Sequence, residues 1–145
     1  MKTLSSYLQS DIIMSSNVEM MDDDGKLVSM VMEGIPKARF ALVCDEKGKI
    51  LWNSRRNNVI HLLTVEDTKK SIKRALENWR FRDELSSKIG KVKYALAVYE
   101  KLIRVTVPLA NGHMLLVSIQ EENPGHIKSV MNIVEWVQKH STKFQ

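Results

Sequence analysis

The chain holds one cysteine, Cys44, three prolines and six glycines in 145 residues. A lone thiol builds neither an internal disulfide nor a Cys-x-x-Cys metal or redox pair, and a reducing compartment is the plain expectation. Its longest unbroken apolar run, Tyr94 to Tyr99, is six residues, against about 20 for a helix that crosses a bilayer. No membrane span is therefore expected. Met1-Lys2-Thr3-Leu4-Ser5-Ser6 turns polar before a hydrophobic stretch of signal-peptide length develops, so the expectation is a cytoplasmic protein. The glycines are scattered, and neither Gly-x-x-x-x-Gly-Lys nor Gly-x-Gly-x-x-Gly occurs. No phosphate cradle is readable, and the chain is not itself a P-loop GTPase.

Catalytic groupings are equally sparse. His61, His113, His126 and His140 lie far apart, without a Cys, His or acidic neighbour at metal-ligand spacing. Cys44 ends an apolar run, where a buried, inert thiol is the usual outcome. Asp45-Glu46 and Glu121-Glu122 read as solvated turn charges rather than an acid and a base. Asp22-Asp23-Asp24 lacks the alternating ligands and closing glutamate of a calcium loop, and suits the positive end of a helix dipole instead. The eight methionines read as core filler. The expectation is a protein that is not an enzyme, with no cofactor and no metal.

What is present is a domain's worth of core, with 43% hydrophobic and 27% charged residues. The formal charge is +5, and it is unevenly placed. Residues up to Ile60 are neutral in sum, whereas Lys69 to Arg104 carries 11 basic and 4 acidic residues. Such a cluster attracts acidic partners by Coulomb steering, or is simply a solvated basic surface.

Leu4, Tyr7, Leu8 and Ile12 recur at helical spacing and predict a helical extension over residues 1–23, ahead of a domain over 24–145. Leu27, Met30, Val31 and Ile35 then set the first core helix, closed by Gly34 and Pro36. Arg39 to Cys44, the turn Asp45-Glu46-Lys47-Gly48, and Lys49 to Trp52 read as a hairpin. Thr64-Val65-Glu66-Asp67 is a near relative of the capping box and opens a second helix that ends before Gly90. Val65, Ile72, Ala75, Leu76 and Trp79 share its apolar face, opposite Lys69, Lys70, Lys73, Glu77 and Arg80. Val92 to Tyr99, Leu102 to Pro108 and His113 to Gln120 follow as strands. Ile103, Val105 and Val107 alternate with Arg104 and Thr106, giving one buried and one polar face. Asn123-Pro124 starts the last helix, striped by Ile127, Val130, Val134 and Val137.

The order is α-β-β-α-β-β-β-α, which predicts an α+β domain with a five-stranded antiparallel sheet and flanking helices. This order resembles the roadblock/LC7 fold, related to the profilin and longin folds. More closely, Ala38 to Gln120 resembles an uncharacterised archaeal family of roadblock-like proteins. The resemblance rests on Arg39-Phe40-Ala41, Gly48-Lys49, Arg80-Phe81-Arg82, Ile89-Gly90, Lys93-Tyr94-Ala95-Leu96-Ala97, Tyr99-Glu100-Lys101, Pro108-Leu109 and Leu115-Leu116-Val117-Ser118. It implies a homodimer formed through the second helix and third strand, Thr64 to Leu85 and Val92 to Tyr99. Leu76, Trp79, Phe81, Tyr94 and Leu96 are the interface residues expected on that basis. It also implies a role as scaffold or regulator for a small Ras-like GTPase.

A second feature stands out from the residues alone. Arg80 and Arg82, with Lys88, Lys91 and Lys93, form an expected basic patch around Phe81, suited to carboxylate, phosphate or a stacked base; cations at a helix end also offset its dipole. Two further functions fit the sequence. One is a PAS- or GAF-like sensor holding a small molecule between sheet and helices, and the other is a basic nucleic-acid-binding protein.

Overall fold

The computed structural model describes residues 2–3, 22–120 and 123–141. The periodic residues Leu4, Tyr7, Leu8 and Ile12 lie outside that set. Strand β1 (Lys2–Thr3) precedes helix α1 (Asp23–Gly34), strands β2 (Ala38–Cys44) and β3 (Ile50–Arg55), and helix α2 (Val65–Asp83). A single turn, α3 (Ser86–Ile89), leads into β4 (Ala95–Val98), β5 (Ile103–Pro108), β6 (Met114–Ile119) and helix α4 (Pro124–Lys139).

The sheet order is β1-β3-β2-β6-β5-β4. Five strands run antiparallel, as the element order predicts, and β1 adds a short parallel pairing on β3 with Lys2 opposite Trp52. The sequentially distant strands β2 and β6 pair at the centre, Leu42 facing Leu116. Every residue of β6 is accordingly buried, as expected for a strand covered on both faces.

Helices lie on both faces. Val28 and Val31 of α1, with Val130, Val134 and Val137 of α4, pack on Ala41, Val43, Val105, Leu115 and Val117. This is the larger core. On the other face, Ile72 of α2 packs with Phe40, Leu42, Cys44, Met114 and Leu116, and Ala75, Leu76 and Trp79 close in around them. Area-based transfer energies assign roughly 1.5–3 kcal/mol to each large apolar side chain so buried.

Helix ends follow the sequence closely. Asp22 accepts from the Gly25 N–H at 2.9 Å and caps α1. Thr64 and Asp67 exchange backbone and side-chain bonds at 3.0 Å, a full capping box at the start of α2. Asn123 caps α4, with Pro124 in the first turn.

Three expectations are corrected. Val65 is 55% exposed, because the first turn of α2 overhangs the sheet and burial on this helix centres on Ile72. The second strand reaches Arg55 rather than Trp52, since the pairing of Phe40 with Arg55 carries the polar Asn53 and Ser54 into the ladder. The third strand is confined to Ala95–Val98 rather than running from Val92 to Tyr99. Ala95 pairs with Thr106, so residues further back meet Pro108, which has no N–H to donate.

Candidate functional site

Strand β4 forms one border of the sheet, and among the described residues neither face of it is fully covered. Cross-strand partners share a face, so Ala95 and Ala97, opposite Thr106 and Arg104, lie on the α2 side, while Leu96 and Val98, opposite Val105 and Ile103, lie on the α4 side. Leu96 is 45% and Val98 54% exposed, although their partners Val105 and Ile103 are buried. The helices stop short of this edge. A hollow of about 420 Å³ runs between Leu96 and Val98 and the Ile127 and Met131 positions of α4. Among the described residues, an unpaired strand edge and exposed apolar side chains coincide here.

On the α2 side the gap is a groove of about 860 Å³. Ala95, Ala97, Arg104, Thr106 and Leu116 form its floor, Leu62, Leu63 and Leu102 one end, and Lys70, Ser71, Arg74, Asn78 and Arg82 of α2 its wall. Five basic side chains (Lys70, Arg74, Arg82, Lys101 and Arg104) meet two acidic ones, Asp67 and Glu100. Asp67 is already engaged by the capping box, and the Thr64 backbone and hydroxyl holding it lower its pKa below the ordinary 3.8.

Arg104 is the unusual member. Sequence alternation puts it on the polar face of its strand, and α2 then covers that face. Its Nη1 donates to Ser71 Oγ at 2.5 Å, while Nε is buried without a hydrogen-bond partner. Burial lowers its pKa, with Tyr99 acting in the opposite sense. No carboxylate pairs with it among the described residues. The register aligns Arg55, Phe40, Ser118, Arg104 and Ala97 in one row across the sheet, and the Arg55 guanidinium sits 5.3 Å over the Phe40 ring.

The residues expected at a dimer interface are divided by the sheet. Leu76 and Trp79 face it, and Trp79 Nε1 donates to Thr106 Oγ1 at 3.3 Å, tying α2 to β5. Phe81 is 69% exposed on the outer side of α2, and Tyr94 is 41% exposed just before β4. Leu96 is on the opposite face from α2.

Nor are the basic residues brought together as one patch. Residues two apart on a helix do not face each other. Arg82 turns to the groove with its guanidinium 5.2 Å over the Trp79 ring, whereas Arg80 is exposed on the other flank. Lys88 ends α3, and Lys91 and Lys93 are exposed on the stretch leading to β4. Sequence reasoning puts its weight on the triplet and misses Arg104, whose signal is only a charged residue amid Ile103, Val105 and Val107.

Burial raises the Cys44 thiol to about 12, Asp45's charge adding to the effect, and the side chain is wholly enclosed. Among the described residues no three His, Cys, Asp or Glu side chains gather to hold a metal ion, and no helix is long and apolar enough to cross a membrane.

The architecture defined by this sheet order and helix placement is that of roadblock/LC7 domains. A Roadblock/LC7 domain from Streptomyces avermitilis shares 14% identity, with a TM-score of 0.59 over 82% of this chain and 93% of its own. The gliding protein MglB of Thermus thermophilus shares 13% identity, with a TM-score of 0.60 over 82% of this chain and 90% of its own. An MglB in a tetrameric arrangement shares 16% identity, with a TM-score of 0.58 over 79% and 92%. At these identities the likeness establishes the fold. No family model and no curated protein matches the chain.

Proposed function

We propose that this chain is a non-enzymatic, homodimeric roadblock-like interaction module, joined through β4 with α2 alongside. The observation that carries the reading is the bare edge strand, with Leu96 and Val98 exposed on one face and an open groove on the other. A second copy set antiparallel against β4 satisfies its outer backbone groups and covers both faces. The tetrameric arrangement of an MglB with the same fold supports self-association as a use of this architecture. The resemblance to roadblock-like proteins supplies the partner, a small Ras-like GTPase in the cytoplasm, met by the joined surface.

Light scattering after gel filtration tests the dimer. Wild type is expected at twice the 16.7 kDa of the chain. Leu96→Glu places a charge on the exposed edge and is expected to give a folded monomer, and Phe81→Glu a weakened dimer. A wild-type monomer at micromolar concentration overturns the reading. For the partner, retention of a Ras-like GTPase in one nucleotide state and not the other is the expected result.

A further inference from the structure

Asn111 is the only asparagine of the chain that is followed by glycine. That order is chemically reactive, because glycine has no Cβ to keep its own backbone nitrogen away from the asparagine Cγ. Gly112 turns the β5–β6 hairpin at φ +85°, with nothing within 4 Å of where a Cβ would stand. The turn itself therefore leaves room for the reaction.

Hydrogen bonds restrain it. Asn111 Nδ2 donates to Asp24 Oδ1 at 3.0 Å, and Asn111 Oδ1 accepts from the His113 N–H at 3.0 Å. The Gly112 N–H donates to the Leu109 carbonyl, also at 3.0 Å. Asp24 is buried, and its other oxygen meets His113 Nδ1 at 2.7 Å. The bond between residues 24 and 111 needs the amide, since Nδ2 brings the proton. An oxygen in its place sets two carboxylates at hydrogen-bond distance with no proton between them, and like charges repel most where water is scarce.

We propose that Asn111 is a site of spontaneous deamidation, held in check by its bond to Asp24, and that the modification once made keeps this clamp open. The reaction proceeds from the opened hairpin. The Gly112 nitrogen gives up its proton and attacks Asn111 Cγ, the Cγ–Nδ2 bond breaks, and Nδ2 takes up a proton and leaves as ammonia. Water then opens the five-membered imide. Addition at Cγ gives aspartate, and addition at the main-chain carbonyl carbon of residue 111 gives isoaspartate. Either product carries a carboxylate where Asp24 had a donor, while Asp23 still holds the first turn of α1 to Ser141. The proposed dimer is not needed for any of this.

Incubation in mildly alkaline buffer tests the site, with ammonia release, peptide mapping and isoaspartyl methyltransferase labelling as readouts. Conversion at Asn111 is expected to be at least about tenfold faster in the urea-unfolded chain than in the folded protein, because only the open form reacts. Folded Asp24→Ala is expected between the two. Should that variant not fold, the comparison of folded with unfolded wild type still decides. No conversion at Asn111 in the unfolded chain overturns the site. Equal rates folded and unfolded, or a wild-type rate in folded Asp24→Ala, overturn the protection. The consequence is read on the product made directly. Asn111→Asp is expected to lower the folding equilibrium constant at least about fivefold in urea denaturation. Asp24→Asn/Asn111→Asp exchanges donor and acceptor, and is expected to recover most of that loss. Wild-type stability of Asn111→Asp, or no recovery in the exchanged pair, overturns the opened clamp.

Discussion

Asp24 and His113, 89 residues apart in the chain, meet with Oδ2 and Nδ1 at 2.7 Å. Asn111 Nδ2 donates to the other Asp24 oxygen at 3.0 Å, while Asn111 Oδ1 accepts from the His113 backbone. The first turn of α1 is thereby clamped to the β5–β6 hairpin. Asp24→Ala leaves the His113 and Asn111 donors in a half-buried setting without their acceptor. It is expected to lower unfolding stability by about 1–3 kcal/mol, read from urea denaturation. An unchanged midpoint would show that the clamp contributes nothing.

The capping box gives a pH signature. Thr64 depresses the Asp67 carboxyl below its ordinary value in the folded state. A depressed carboxyl contributes stability above its unfolded value of about 3.8, and loses it as pH falls through the folded one. Thr64→Ala is expected to cost about 1 kcal/mol at neutral pH and to flatten the acid limb of a stability profile. A parallel acid limb in the variant would contradict the coupling.

Gly48 turns the β2–β3 hairpin at φ +89°, and a Cβ there meets Ile72 and Leu76 of α2 at 3.6 Å. The contact is ordinary, so the backbone sets the cost. Gly48→Ala is expected to destabilise by about 1–2 kcal/mol through the left-handed conformation. Thermal unfolding checks it, and a neutral result would mean that the turn changes its type.

Cys44 is enclosed and its thiol is raised to about 12 by burial. At neutral pH it is expected to ignore Ellman's reagent in the folded protein and to react fully in guanidinium chloride. Rapid native labelling would mean that the second core opens on the assay's timescale.

The sequence carries most of the fold because its signals are local. The stripe of Ile127, Val130, Val134 and Val137 and the caps Thr64 and Asn123 depend on neighbours within one or two turns, and the structure has them as read. Local patterning overextends the third strand because its length depends on a proline in another strand, Pro108. Periodicity turns Val65 inward, since it assigns the helix a face but not the point at which the sheet beneath it ends.

Site residues are less legible for the same reason. Alternation along one strand places Arg104 on a polar face, and only the docking of α2 turns that face into a half-buried groove with Ser71 beside it. The sequence by itself determined the eight core elements, their order and the antiparallel class of the five-stranded sheet, since these follow from spacing along the chain, but neither the short strand β1 nor the single turn α3. Tertiary structure alone decided that α1 and α4 share one face while α2 takes the other, that β4 is left bare, and that Asp24 reaches His113. Those outcomes rest on contacts between residues far apart in sequence, where packing of whole surfaces outweighs any local preference.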